Sequence, residues 1–394
     1  MAGKAVHIGA GNIGRGFIGQ LYYESGYHTT FIDVVEAVVS AIQREKAYPV
    51  DLVTDEAVER IWVRNIDAID GRDLDQAARA LAEADIASTA VGLNAMPHII
   101  PLLARAVEIR FADADAPPLD IILCENINNA GDYVRKLVLE KLDPAFHAVF
   151  REQVGLVEAS IGRMVPVMTP EKQAETPLLV CVEPYCEMPV DSQGFKGPLP
   201  PIKHLKPAPN FVAYVERKLF AHNMTHACTA YLGFLKGYEY IYEAIRDSKI
   251  RAIVEDAGRE SCQALAAKHA MPVMELQAHL DDLIQRYHNR ALADQIIRVA
   301  RDPLRKLAPG DRLIGAATTC VAQGIAPENI ALGIAAALQY APDDPADPTV
   351  AAMQEQLQTQ GVTGFLSAYC QLDPAMPPGS LVCMARDRLR ERLG

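Results

Sequence analysis

Basic charge is scarce in this chain: 38 Lys and Arg stand against 50 Asp and Glu in 394 residues, a formal net charge of −12. A broad surface for nucleic acid or an anionic membrane needs a basic field, so neither is expected as a partner, and an anionic ligand would need a local basic pocket. Cysteine is sparse too. The eight residues, at 124, 181, 186, 228, 262, 320, 370 and 383, form no CxxC pair and no regular framework, which argues against a disulfide scaffold and for reduced thiols in the cytoplasm. The apolar runs, such as "IALGIAAALQY" from Ile330, fall short of the roughly 20 residues of a membrane helix. Gly9, Gly11 and Arg15 interrupt what would be the apolar stretch of a signal peptide. There is no repeat period and no low-complexity tract apart from "APDDPADP" at 341–348, read as a surface connection. A soluble, cytoplasmic protein is expected.

Half of the residues are hydrophobic, enough for a sizeable core, and the length exceeds that at which one core keeps growing. Two domains are therefore expected. From residue 4 to about 125, the strand candidates "AVHIG", "TTFID", "IWVRN", "DIASTAV" and "LDIILC" alternate with "EAVVSAIQREK", "DLDQAARALAEA" and "PHIIPLLARAVEIR", which carry helical periodicity. Alternation of this kind implies right-handed crossovers and a mostly parallel sheet covered on both faces. Between Val154 and Val190, pieces such as "TPLLVCVEPY" are expected to extend that sheet. The prolines of "FKGPLPPIKHLKPAPN" argue against regular structure, and beyond them the chain reads as helical, as in "SKIRAIVEDAGRESCQALAAKHA" and "LADQIIRVARDPLRKLA". The expected architecture is an α/β Rossmann-type doubly wound sheet over 1–190 and a predominantly helical domain over 191–394.

Gly9, Gly11 and Gly14 fit G-x-G-x-x-G after an apolar strand and at the mouth of a helix. The spacing serves a tight turn, close backbone approach to a pyrophosphate and close packing of helix on strand, with Ala10, Asn12 and Ile13 completing the turn. The helix start presents unpaired N–H groups to phosphate. Asp33 follows Gly14 by 19 residues at the end of the next strand, where a carboxylate accepts from a ribose diol and repels a 2′-phosphate, favouring NAD over NADP. FAD shares the fingerprint and stays open at this point. The strand ends "STAVG", closing at Gly92, and "CENINN", with Glu125 and Asn126, are either the nicotinamide side of a cofactor crevice or ordinary loops.

Farther on, "VERKLFAHNMTHACTAYLG" offers Lys218, Asn223 and His226, which share one side of a continuous helix at roughly 100° per residue. Oxidation of an alcohol needs a base and donors for the developing alkoxide, and a lysine becomes such a base when burial lowers its pKa. The alternative is an amphipathic helix with a surface lysine and a packed histidine. His222 and His226 are four apart, as in a zinc site, but without an HExxH pattern or a third ligand cluster, so no metal is expected. "RDPLRKLAPGDR" supplies Arg301, Arg305, Lys306 and Arg312, which suit a phosphomonoester or a solvated face.

Together "GAGNIGRGFIG", "TAVG", "CEN", "FKGPLP", "VERKLFAHNMTH" and "RDPLRKLAPGDRLI" resemble, in order along most of the chain, the polyol-specific long-chain dehydrogenase/reductase (mannitol dehydrogenase) family. The resemblance implies an active site of lysine, asparagine and histidine in the pattern K-x4-N-x2-H, which falls on Lys218, Asn223 and His226, with Lys218 as acid/base. It also implies reversible, metal-independent oxidation of D-mannitol 1-phosphate to D-fructose 6-phosphate with NAD, so FAD drops out. A small-molecule substrate is the expected partner, with Arg301, Arg305 and Lys306 toward its phosphate. Two positions depart from the family pattern: Gly162 stands before Arg163 where an aspartate is usual, and Thr225 stands where a glycine is typical. They leave as rivals a relative acting on an unphosphorylated polyol or hexuronate and an NAD-binding sensor.

Overall fold

The computed structural model describes residues 3–126, 129–165, 168, 174, 176–342 and 347–394; the middle of "APDDPADP" and Ile127 and Asn128 of "CENINN" lie outside them. The strands are β1 (Lys4–Ile8), β2 (His28–Asp33), β3 (Ala47–Val53), β4 (Val58–Arg64), β5 (Ile66–Asp70), β6 (Ile86–Thr89), β7 (Leu119–Leu123), β8 (Val154–Glu158), β9 (Val180–Val182), β10 (Met188–Asp191) and β11 (Leu205–Ala208). Six of them form a parallel sheet in the order β5-β2-β1-β6-β7-β8, the doubly wound nucleotide-binding arrangement with its switch point between β1 and β6.

Neighbouring residues of a strand point to opposite faces, so strands buried on both sides read as unbroken apolar runs. Val6, Ile8, Leu119, Ile121 and Leu123 pack with residues of the helices Leu74–Ala82, Met96–Arg110 and Ala130–Leu139. Ala5, Ile122 and Val157 pack on the other side with Phe17, Ile18 and Leu21 of the helix that follows β1. One buried cation ties the loops at the amino edge. Arg110 donates through Nε to Pro117 O (2.9 Å), through Nη1 to Ala82 O (2.7 Å) and Ala84 O (2.8 Å), and through Nη2 to Pro118 O (3.0 Å).

"IWVRN", expected in this sheet, falls instead in β4, which forms an antiparallel hairpin with β3 in a separate sheet of order β4-β3-β9. Its exposed Val58, Arg60 side and Trp62 fit a strand with one solvated face, whereas the place in the main sheet belongs to β5, "IDAID". "TPLLVCVEPY" likewise supplies β9 to the small sheet, and β8 alone extends the large one. The proline-rich stretch holds β11, parallel to β10, where Pro207 is tolerated on a two-stranded ribbon. This stretch belongs to the first compact unit, Met1–Phe211, not to the helical domain expected from residue 191. The cause is Asp120 on β7, whose two carboxylate oxygens accept from the backbones of Lys196 (2.7 Å) and Gly197 (3.0 Å).

The second unit, Val212–Gly394, is helical. Met224–Leu235 and Glu328–Ala337 are buried nearly all round, as helices in the middle of a bundle must be. They approach closely because Gly333 has no Cβ: one built there would lie 2.1 Å from Cys228 Sγ. "LADQIIRVARDPLRKLA" is not one helix. Asp302 takes a φ of 58° and caps Arg305, splitting the stretch into Ile296–Ala300 and Pro303–Lys306. No described helix is long and apolar enough to cross a membrane.

Arg110→Ala would leave four carbonyls without their donor. The expected loss is about 2–4 kcal/mol, read as a lower urea midpoint at unchanged slope; an unchanged midpoint would show that water replaces the guanidinium.

Candidate active site

At the carboxyl end of β1 the chain turns sharply. Gly9 has a φ of +104°, a left-handed backbone that only glycine adopts readily, and its N–H donates to Ile32 O at 2.8 Å. The helix starts at once, with Arg15 N donating to Gly11 O at 2.9 Å, and its Gly14–Ile18 segment is π-helical. A Cβ on Gly14 would meet Gly9 O at 2.0 Å and His7 Nε2 at 2.7 Å, so this glycine closes the turn. Around Gly11 the opposite holds: no atom lies within 4 Å of a Cβ built there, and both Gly11 and Asn12 are exposed. The turn is thus packed from below and open where a pyrophosphate would approach.

Asp33 ends β2 beside this turn. Its Oδ2 accepts from Ala10 N (2.6 Å) and its Oδ1 from Val35 N (2.8 Å), which binds the acid to the loop it serves. The residue below the turn, His7, escaped the sequence reading because it looks like any strand position. It is fully buried, its Nδ1 lies 2.7 Å from Ser88 Oγ, and Tyr22 Oη donates to the same Oγ at 2.9 Å. Burial lowers its pKa to about 3, so His7 is neutral.

At the ends of β6 and β7, Glu125 is buried and committed. Its Oε1 accepts from Thr89 Oγ1 (2.8 Å) and Val91 N (2.9 Å), and its Oε2 from Gly92 N (2.7 Å). Glu125 therefore shapes the Val91–Gly92 bend, where Gly92 has a φ of +83°, while Asn126 beside it is exposed. Arg163, the residue after Gly162, reaches back to the helix below the turn: Nη1 donates to Gly16 O (3.0 Å) and Gln20 Oε1 (2.7 Å), and Nε to Glu183 O (2.8 Å).

In the second unit, Lys218 and Asn223 lie in a π-helical turn, Arg217–Asn223, that runs into the helix Met224–Leu235. The wider turn replaces the uniform 100° per residue assumed from sequence, and π turns of this kind recur at functional sites. Side chains satisfy its displaced carbonyls: Ser261 Oγ donates to Phe220 O (2.8 Å), Thr225 Oγ1 to Ala221 O (2.7 Å), and Tyr287 Oη to His222 O (3.0 Å). Thr225, where the resemblance leads a glycine to be expected, is fully buried and supports the turn. Lys218 is half-buried. Desolvation first, and the charge of Arg312 second, bring its ammonium down to about 8.

His226 is turned toward a partner absent from the sequence motif. Its Nε2 lies 2.9 Å from Asp294 Oδ2, and its ring stacks on Tyr287 with centroids 5.0 Å apart and planes at 16°. Burial would raise the Asp294 carboxyl, but His226 and Arg298 together hold it below its ordinary value. Nothing local marks Asp294 in the sequence, since 68 residues separate it from His226. The His222 ring is 6.3 Å from that of His226, and burial drives its pKa far down. Among the described residues no group of three His, Cys, Asp or Glu side chains is placed to hold a metal.

The basic stretch divides. Arg301 is exposed, and Arg305 is exposed with its Nε on Asp302 Oδ2 at 2.8 Å. Lys306 is buried, donates to Arg301 O, and is brought down to about 7 by desolvation and then by Arg312 and Arg305. Arg312 thus acts on both Lys218 and Lys306. It starts the helix Arg312–Ala322, which packs on the π turn where Gly315 faces Phe220, and its Nε is 2.7 Å from Asp311 Oδ1.

Comparison with known proteins agrees in both units. Residues 3–204 match the mannitol dehydrogenase Rossmann domain model and residues 210–366 the mannitol dehydrogenase C-terminal domain model. The chain is 38% identical over 376 residues to a mannitol-1-phosphate 5-dehydrogenase of Geobacillus thermodenitrificans, covering 95% of this chain and 96% of that protein. It is 39% identical to that of Thermoanaerobacter pseudethanolicus, covering 94% of each. Similar solved structures include a substrate-free D-sorbitol dehydrogenase (TM-score 0.82, 16% identity, 100% of this chain and 94% of that chain). Another is the Pseudomonas fluorescens mannitol 2-dehydrogenase in a ternary complex with NAD and D-mannitol (TM-score 0.71, 18% identity, the same coverage). At these identities the two structures speak for the fold.

Gly14→Ala is expected to lower the melting temperature and to weaken NAD binding at least about tenfold by fluorescence titration, since backbone and a buried ring must both move. Wild-type values for both would show that the turn yields.

Proposed function

Because the chain belongs to the mannitol dehydrogenase family and is therefore a polyol oxidoreductase, we propose that it interconverts D-mannitol 1-phosphate and D-fructose 6-phosphate with NAD. The observation that carries this reading is Lys218: a half-buried amine, lowered to about 8, on a π turn packed against the helix that Arg312 begins. NAD, when bound, supplies the hydride acceptor. The turn from Gly9 to Gly14 would take its pyrophosphate at the open side of Gly11, Asp33 its ribose, and Gly92 and Asn126 the strand ends that Glu125 shapes.

In the oxidising direction the free amine of Lys218 takes the hydroxyl proton as the carbon loses hydride, and Asn223 steadies the oxygen with its amide. In the reducing direction the ammonium returns the proton. A pKa of about 8 lets one residue serve both directions near neutrality. The phosphate would be held by Lys306 and Arg312, with Arg305 contributing charge from an exposed, Asp302-paired position. The curated relatives' names are the support for a phosphorylated substrate over an unphosphorylated one. A cofactor-binding sensor has no use for a lysine held near its neutral form.

Lys218→Ala should cost kcat about 10²- to 10⁴-fold with NAD affinity nearly unchanged. The limb of kcat/KM for oxidation governed by Lys218 should rise with pH through about 8, and the limb for reduction should fall there, because oxidation needs the amine and reduction the ammonium. Near-normal turnover in the variant would assign the base elsewhere. Arg312→Ala should raise KM for mannitol 1-phosphate about tenfold or more relative to KM for mannitol, with Arg305→Ala smaller in effect, while the limb governed by Lys218 moves to higher pH with either substrate. Equal changes in KM for both substrates would remove the phosphate assignment.

A further inference from the structure

We propose that Asp294 is a positioning residue which fixes His226 as its Nε2–H tautomer, so that the imidazole offers a substrate hydroxyl an acceptor at Nδ1. The inference rests on the reading of Lys218, Asn223 and His226 as the reaction site and specifies what His226 does there.

The carboxylate is itself held at every side. Its backbone is clamped where Ile241 N donates to Asp294 O (2.9 Å) and Ile296 N to Glu239 O (2.9 Å), with Tyr240 and Gln295 bridged between them. Arg298 donates to Oδ1 through Nε at 2.9 Å and also through Nη2, which leaves Oδ2 aimed at His226. The imidazole is kept in place by Tyr287, which stacks on its face and is itself anchored by its hydroxyl, donating to His222 O (3.0 Å).

The chemistry follows from the pair. An ionised carboxylate only accepts, so the hydrogen between Nε2 and Oδ2 sits on nitrogen, and a neutral imidazole with its proton on Nε2 carries its lone pair on Nδ1. The motif alone groups His226 with Lys218 and Asn223 and leaves its hydrogen-bond partner open. With Nε2 committed to Asp294, the Nε2–H tautomer of His226 accepts from a polyol hydroxyl at Nδ1, a contact that a deoxy analogue cannot make. Discrimination between a hydroxyl-bearing substrate and its deoxy counterpart is then set by Asp294, which touches neither. Wrong-tautomer substitutions beside a site histidine are costly even where geometry is kept.

Long-range ¹H–¹⁵N NMR on histidine-labelled protein without cofactor, with His226 assigned by loss of its signals in His226→Gln, reads the tautomer directly. The expected wild-type signature is Nε2–H, shifting toward Nδ1–H in Asp294→Asn. In kinetics, Asp294→Asn should lower kcat at least about tenfold, leave NAD affinity unchanged and narrow the preference for mannitol 1-phosphate over a deoxy analogue. An Nδ1–H signature in the wild type overturns the proposal whether or not the variant folds. Full activity and selectivity in a folded Asp294→Asn, beside a crippled His226→Gln, overturns the role of Asp294 alone. Normal turnover by His226→Gln overturns the site reading beneath it.

Discussion

An ammonium withdrawn from water favours its neutral form, and much of the second unit serves to keep one such group withdrawn. Lys218 sits in a turn wider than an α-helix, whose misplaced carbonyls are taken by Ser261, Thr225 and Tyr287. A turn left unsatisfied would relax toward ordinary geometry, because buried carbonyls without donors are costly. Arg312 adds like charge, which lowers the lysine further and brings Lys306 down with it. Lys218, Lys306 and Arg312 thus stand as a local group of basic side chains in an otherwise acidic chain.

The first unit solves a different problem, that of holding the loops at its strand ends in place. Asp33 and Glu125 do this with carboxylates that accept from the backbones of Ala10, Val35, Val91 and Gly92. Neutral His7 fills the space under the turn and is joined through Ser88 to Tyr22. Residues that a motif assigns to cofactor contact thus divide into those that shape the loop, as Glu125 does, and those left exposed, as Gly11, Asn12 and Asn126 are.

What could be read in advance was what is encoded locally. The glycine spacing, the acid after β2 and the alternation of apolar runs with helices each report on neighbours in sequence, and the switch-point sheet followed from them. β4 deceived because a one-sided edge strand and a two-sided core strand both contain Val, Ile and Trp, and only exposure tells them apart. The boundary at Phe211 was hidden because Asp120, far upstream, holds the proline-rich stretch. In the helical unit K-x4-N-x2-H was visible, but Asp294 lies 68 residues away, and no periodicity links a histidine to a carboxylate across a tertiary contact. The basic stretch near Arg301 read as one cluster, and Asp302, with its left-handed backbone, broke it into an exposed pair and a buried lysine.

Helices usually tolerate an inserted or lost residue badly at their middles and well at their ends, and the stretch Arg217–Asn223 lies between one helical segment and the next. A π turn holds one residue more than the α turn it replaces. Removal of a single residue there restores ordinary winding and keeps the helical segments on either side in register, so that what is lost is the widened turn itself. A one-codon deletion would therefore leave a well-formed helix behind and withdraw the displaced carbonyls that Ser261, Thr225 and Tyr287 now satisfy.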